Sequence, residues 1–266
     1  MSRNIVYHPI MQVTDLDKPK LGKVTMKCDE CVDQKMCKYP AVECAFGQCS
    51  FTLLCGKMGQ GKTSSMISFL RKGGPLYKCY NNAYVIIPEI SLHSIDEKDN
   101  IFIKNMEEED IFHEYNAEIL DEIYSRLLAN ANKDEFSILV IDDMGAIFKR
   151  DKYAATILNK IITKMRHLKV SVILLCQNIY QLPKGWREIA TNLITFNLGK
   201  SQMQKIFKEF YDYKEEQFLQ IMGLYKSPHD WLLLNLKHRR LFFRFDKEIS
   251  FIEDEKDHST PENHKM

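Results

Sequence analysis

"SILVIDDMG", Ser137 to Gly145, is the stretch on which the fold turns. A run of Ile138, Leu139, Val140 and Ile141 leads straight into two adjacent aspartates, Asp142 and Asp143. A short apolar run rich in β-branched side chains predicts a strand buried on both faces of a parallel sheet. Two carboxylates at its exit repel each other, and either one is costly in a dry site without a cation. That strand end calls for positive charge nearby.

Similar runs recur on both sides of it. "SFTLLC" (50–55) predicts a strand, and a helix follows from Lys62 to about Arg71. "AYVIIP" (83–88) predicts a second strand, and residues 114–130 place Ile119, Ile123, Leu127 and Leu128 on one helical face. The acidic run Glu107 to Asp110, ahead of that helix, reads as a solvated first turn. A helix over 153–168 leads into a strand, "VSVILLC" (Val170 to Cys176), and "LITFNL" (193–198) is another. Strand alternating with helix at this rhythm predicts an α/β fold with a mostly parallel central sheet and helices on both faces. Near the end, "DWLLLNLKHRRLFFRFDKEI" (230–249) has two strand-like runs flanking "KHRR", a hairpin expected to extend the sheet.

The bulk numbers narrow the function classes. At 266 residues the chain can bury a full core. A formal net charge of +1 argues against a generally basic nucleic-acid binder, so any contact with DNA must come from local patches. The first residues carry no export-signal pattern, and no apolar run approaches membrane-spanning length, so no membrane insertion is expected. The eight cysteines are then expected to be reduced, in a cytoplasmic compartment. Five of them fall in residues 1–49, an irregular Cys-rich segment. Cys28 and Cys31 form a C-x-x-C pair, and Cys37, Cys44 and Cys49 follow at looser spacing. A structural zinc is possible there, and burial as small hydrophobes is the alternative. Cys55 and Cys176 belong to strands and to the core. The polar tail over 251–266 is expected to be disordered.

The cation that the aspartates need is supplied by "GKMGQGKT", Gly56 to Thr63, which fits the phosphate-loop pattern G-x-x-x-x-G-K-[ST]. It follows a predicted strand and opens a predicted helix, as the chemistry requires. Gly56, Gly59 and Gly61 let the backbone bend so that successive N–H groups point at phosphate oxygens. The helix beginning at Lys62 aims its positive end at the same oxygens. Lys62 is placed to reach the β and γ phosphates of ATP, and the Thr63 hydroxyl to ligate Mg²⁺. Gly56, Gly59, Gln60, Gly61, Lys62, Thr63 and Ser64 are the expected nucleotide-binding residues. Asp142 would hold the Mg²⁺ through water, and Asp143 would polarise the water that attacks the γ-phosphate. A helix cap or turn residue is the alternative for Asp143. Gln177 ends the next strand, where parallel strands deliver their carboxyl ends to a ligand, and its amide can touch both γ-phosphate and water. The alternative is a polar strand end.

The glycine loop, the doubled acid and "RHLKVSVILLCQ" (166–177) resemble the FtsK–HerA superfamily of ring-forming DNA-pumping ATPases. The likeness is nearest to the poxvirus-type virion packaging ATPases of large DNA viruses. It rests on Arg166-His167-Leu168, the strand to Cys176-Gln177, and Pro183, and it covers about residues 50 to 200. The resemblance implies a RecA/ASCE-like P-loop fold of three layers and an ATPase domain over about 50–250. It also implies ATP and Mg²⁺ as cofactors, and a motor that moves double-stranded DNA into a viral capsid. Lys62, Asp143, Gln177 and Arg166 would be its catalytic set, with Thr63 and Asp142 on the metal. Arg166 stands where the family places the arginine finger that reaches a neighbouring subunit's nucleotide; Arg187 and Arg150 are reserves. A finger acting in trans implies a homo-oligomeric ring of five or six subunits around DNA, with capsid or portal proteins as possible further partners.

A motor gripping DNA without regard to sequence must do so through phosphates. Lys149, Arg150 and Lys152, or Lys237 to Arg240, could form such a loop; plain solvated charge is the other reading of both. Two competing functions share the phosphate loop. A small-molecule kinase would want a lid with several arginines, which does not follow the strand ending at Gln177. A non-catalytic nucleotide-gated module would have no use for Asp143 and Gln177 positioned for hydrolysis.

Overall fold

The computed structural model describes residues 10–15, 46, 49–142 and 151–252. In chain order its strands and helices are β1 (Ile10–Asp15), β2 (Phe51–Cys55), α1 (Lys62–Leu70), β3 (Asn82–Ile86), α2 (Glu89–His93), α3 (Ile101–Asn105), β4 (Ile111–Phe112), α4 (Ala117–Asn132), β5 (Ser137–Ile141), α5 (Lys152–Thr163), α6 (Met165–Leu168), β6 (Val170–Cys176), α7 (Lys184–Ile189), β7 (Asn192–Phe196), α8 (Lys200–Phe210), α9 (Glu215–Met222), β8 (Trp231–Asn235), β9 (Arg240–Phe243) and β10 (Lys247–Ile252). All the strands join one sheet in the order β1-β10-β9-β8-β7-β2-β6-β5-β3-β4. The six from β7 to β4 are parallel, and β8, β9, β10 and β1 extend the sheet antiparallel.

The central strands are buried on both sides because their alternate residues feed two cores. Leu53, Leu139, Ile141, Leu174 and Leu193 point into one, beside Leu120, Ile123 and Leu127 of α4 and Ile157, Leu158 and Ile161 of α5. Leu54, Ile138, Val140, Ile173, Ile194 and Phe196 point into the other, beside Met66, Ile67 and Phe69 of α1. Each such side chain contributes about 1.5–3 kcal/mol on burial. This is the expected three-layer α/β fold, and the "KHRR" hairpin joins it as β8 and β9.

Several local expectations shift. Ile10–Asp15 is a strand rather than irregular: it pairs with β10, and its Met11 N–H donates to Gln220 Oε1 at 2.8 Å. The buried stripe of α4 is Leu120, Ile123, Leu127 and Asn130, while Leu128 is 45% exposed. Asn116 caps α4 by accepting from Ile119 N at 2.9 Å, which fixes where the helix begins. The acidic run is a 3₁₀ turn over Glu108–Asp110 leading into β4, not the first turn of a helix. The helix expected over 153–168 is interrupted at Lys164, and Lys169, in the left-handed region (φ 47°), turns the chain into β6. Among the described residues no helix is long and apolar enough to cross a membrane.

Candidate functional site

The phosphate loop leaves β2, second of the six parallel strands, between the exits of β6 and β7. Gly56 N–H donates to the Cys176 carbonyl at 3.1 Å, which ties the loop's first residue to the end of β6. A side chain at Gly56 would have no room, since a Cβ there would lie 2.8 Å from Phe196 Cδ2 and 3.1 Å from Lys62 Cγ. Gly59 and Gly61 have φ of 77° and 94°, which side-chain-bearing residues rarely adopt. The loop also braces itself. Lys57 N–H donates to Gln60 Oε1 at 2.6 Å, and Gln60 Nε2 donates to the Asn197 carbonyl at 2.8 Å. The Gln60 side chain is thus a strut of the loop.

Lys62 opens α1, is 8% exposed, and extends its ammonium back across the loop to the Lys57 carbonyl at 3.2 Å. Thr63, the next residue, donates its hydroxyl to Asp142 Oδ2 at 2.7 Å. Asp142 is only 1% exposed and stands at the end of β5, two strands from the loop's own strand. Residues 79 apart in sequence thus bring a hydroxyl and a carboxylate together at the mouth of a lysine-bearing loop. Both are hard oxygen donors, the ligand class that Mg²⁺ takes. Among the described residues no group of three or more His, Cys, Asp or Glu side chains could hold a metal ion.

Gln177 follows the last residue of β6. Because Cys55 pairs with Cys176, it stands level with Gly56 at the same sheet edge, its side chain exposed. Asp143, Lys149 and Arg150 lie outside the described residues, as do Cys28, Cys31, Cys37 and Cys44. Cys55 and Cys176 are buried strand residues, as expected.

Arg166 is exposed on α6, ahead of β6 and so at the opposite edge of the sheet from the loop. The seven residues of β6 separate the two edges by roughly 20 Å. Within one subunit Arg166 and the phosphate loop are not brought together. Arg187 is committed elsewhere: its Nε donates to Glu209 Oε1 at 3.1 Å and its NH1 to the Leu182 carbonyl at 2.9 Å, with the guanidinium over the Tyr180 ring. Of the basic residues at the β8–β9 turn, Arg240 is held by a two-point contact with Glu248, at 2.7 and 2.8 Å. Lys237, His238 and Arg239 of that turn are exposed, as is Lys152.

Two participants were missed in the sequence. Phe196 walls the loop at Gly56, but in sequence it is one more strand aromatic. His229, just before β8, sets its Nδ1 3.1 Å from the Gln60 carbonyl. Its neighbour Asp230 accepts from Lys226 N and Ser227 N at 2.8 and 2.7 Å and pairs with Arg244. Burial alone would raise the pKa of Asp230, but these donors outweigh it and hold the carboxyl below its ordinary value.

The chain matches the family described as Poxvirus A32 protein over residues 47–257. The protein belongs to that family. No curated protein matches it by sequence. Among solved structures it resembles B204, the DNA-packaging ATPase of Sulfolobus turreted icosahedral virus, at a TM-score of 0.53 and 16% identity over 74% of this chain and 97% of that one. The genome-packaging NTPase B204 of Sulfolobus turreted icosahedral virus 2, in complex with ATP-γS, superposes at 0.51 with 14% identity over 73% and 95%. EssC (ATPases 2 and 3) of Geobacillus thermodenitrificans gives 0.53 with 10% identity over 82% and 41%. At such identities the likeness is one of fold, that of a P-loop NTPase.

Proposed function

We propose that this A32-family protein is an ATP-hydrolysing motor that moves double-stranded DNA, packaging a viral genome into its capsid at an assembly site in the host cytoplasm. The observation that carries the reading is the Thr63–Asp142 contact at 2.7 Å beside Lys62 and the glycine loop. Membership of the A32 family and the resemblance to packaging ATPases of other viruses support the genome as cargo.

In this reading the loop N–H groups and Lys62 bind the ATP phosphates, and Lys62 opposes negative charge as it develops on the γ-phosphoryl group. Thr63 would ligate Mg²⁺ and Asp142 would hold it through water, and the ion would neutralise phosphate charge. Asp143, directly after Asp142, takes the proton of the attacking water, and Gln177, just past the end of the adjacent strand β6, orients that water against the γ-phosphate. Arg166 serves the nucleotide of a neighbouring copy, since it stands at the far sheet edge from its own. The working unit is then a homo-oligomeric ring around DNA, held through the phosphates. Capsid or portal proteins are the partners such a ring would dock on. By domains, the ATPase centres on 50–250, but its sheet also takes in Ile10–Asp15 as an edge strand and runs on to Ile252, so the bounds at 49 and 251 cut through β1's pairing with β10.

The test is phosphate release from ATP by the purified protein, with and without double-stranded DNA of unrelated sequences. Stimulation by any DNA, lost in Lys62→Ala and Asp143→Asn, is the expected result. Hydrolysis indifferent to DNA in the assembled protein would remove the motor reading.

A further inference from the structure

A triphosphate is only part of a nucleotide, and the loop has two sides. On one, Thr63 meets Asp142 at the exit of β5, two strands from β2. On the other, the segment before β8, also two strands from β2, brings His229 against the loop. The His229 ring is close enough that a Cβ on Gly61 would lie 3.3 Å from its Nδ1. The Gln60 carbonyl can only accept, so this contact makes Nδ1 the protonated nitrogen.

The segment carrying His229 is held at both ends. Asp230 accepts from the Lys226 and Ser227 backbone and pairs with Arg244, and His229 N–H donates to Ser227 Oγ at 3.2 Å. Tyr225 OH donates to the Thr195 carbonyl of β7 at 2.9 Å. His229 as a residue is exposed to solvent although its backbone is tied down and its Nδ1 meets the Gln60 carbonyl. A flat, rigidly mounted and uncovered ring beside a phosphate loop is suited to stacking.

We propose that His229 is the platform for the nucleobase of the bound nucleotide, which would be a purine. This rests on the reading of Gly56 to Thr63 as the phosphate site. A nucleotide whose γ-phosphate lies toward Asp142 extends its nucleoside toward β8. Two strand spacings, roughly 10 Å, match the reach from the β-phosphate across the sugar to the base. Imidazole against a purine face is a sequence-tolerant aromatic contact, and a purine offers more ring area to it than a pyrimidine.

Calorimetric titration of the full chain with ATP and with inorganic tripolyphosphate, both with Mg²⁺, separates base from phosphate. His229→Ala should weaken ATP about tenfold and leave tripolyphosphate within about twofold, while His229→Phe, which keeps a stacking face, should hold ATP near wild type. His229 is exposed, so both variants should fold, which circular dichroism checks. Equal weakening of ATP and tripolyphosphate in His229→Ala would make the ring only a brace on Gln60 and overturn the proposal. No change in either ligand would also overturn it. If wild type binds tripolyphosphate as tightly as ATP, the base has no site although the phosphate reading stands. If wild type binds neither, the phosphate reading itself falls, and the platform with it.

Discussion

Gly56→Ala tests whether the back wall of the loop is as tight as the structure draws it. Gly56 does not have a positive φ, so alanine meets no backbone penalty there and the effect isolates packing. The added methyl would sit 2.8 Å from Phe196 Cδ2, well inside ordinary carbon contact, and 3.1 Å from Lys62 Cγ. Lys62 can swing away, but Phe196 is fully buried among Leu54, Met66 and Ile194 and has nowhere to go. Overpacking of this kind costs about 1–3 kcal/mol, and alanine returns about 0.4–1 kcal/mol by restricting the unfolded chain. At mid-range, about 2 kcal/mol against about 0.7, the net of about 1.3 kcal/mol lowers the Tm of a domain this size by about 3–5 °C. Thermal unfolding of Gly56→Ala, Phe196→Leu and the double variant gives the cycle. Phe196→Leu should cost less in the Gly56→Ala background than alone, by about 1 kcal/mol. Gly59→Ala is the contrast: nothing lies within 4 Å of its Cβ, so only the φ of 77° penalises it, by about 1–2 kcal/mol, and Phe196→Leu should not relieve that. An unchanged Tm in Gly56→Ala, or strict additivity with Phe196→Leu, would refute the packing argument.

Arg166→Ala and Lys62→Ala should each abolish DNA-stimulated ATP hydrolysis alone. Mixing the two should restore part of it, because an intact Arg166 can then face an intact loop across a subunit boundary; no recovery from mixed assemblies would remove the trans role. Arg187→Ala should lower stability by about 1.5–3 kcal/mol in urea unfolding, from the lost contacts to Glu209 and the Leu182 carbonyl, while hydrolysis by the folded protein persists. Lost turnover with unchanged stability would instead make Arg187 the finger. Asp230 has a folded pKa below its ordinary 3.8, so the stability it contributes is present above that pH and is lost as pH falls through the depressed value. The stability gap between wild type and Asp230→Asn should therefore be widest near neutrality and close in strong acid, read from urea midpoints across pH.

What the sequence revealed follows from how local each signal is. The strand at Ser137–Ile141 was legible because burial on both faces leaves no polar position from Ile138 to Ile141, and the phosphate loop because its glycines, lysine and threonine fall within eight residues. The pairing of Thr63 with Asp142 could be reached by chemistry alone, since a buried acid at a strand exit needs a partner. In α4 the expected Ile123 and Leu127 are buried, but Leu120 and Asn130 complete the stripe instead of Leu128, because Leu120 and Leu128 are equally apolar and Asn130 is polar, so composition alone cannot rank them. Strand β1 escaped notice for a different reason. Its partner β10 lies at the other end of the chain, and an edge strand needs only one apolar face.

His229 and Phe196 carry no pattern in sequence, because what makes them matter is the strand order. Placing β7, and β8 beyond it, on one side of β2 brings Phe196, Asn197 and His229 against a loop at 56–63, and no spacing rule predicts that approach. The same order explains why Arg166 cannot serve its own loop. In a parallel sheet every strand delivers its carboxyl end to one edge, so a residue just ahead of β6 is at the wrong edge by the length of that strand. A residue there meets nucleotide only if a second copy presents its own phosphate loop to it. On the proposed finger role a second copy is then required, and the recovery of activity in mixed assemblies tests that requirement directly.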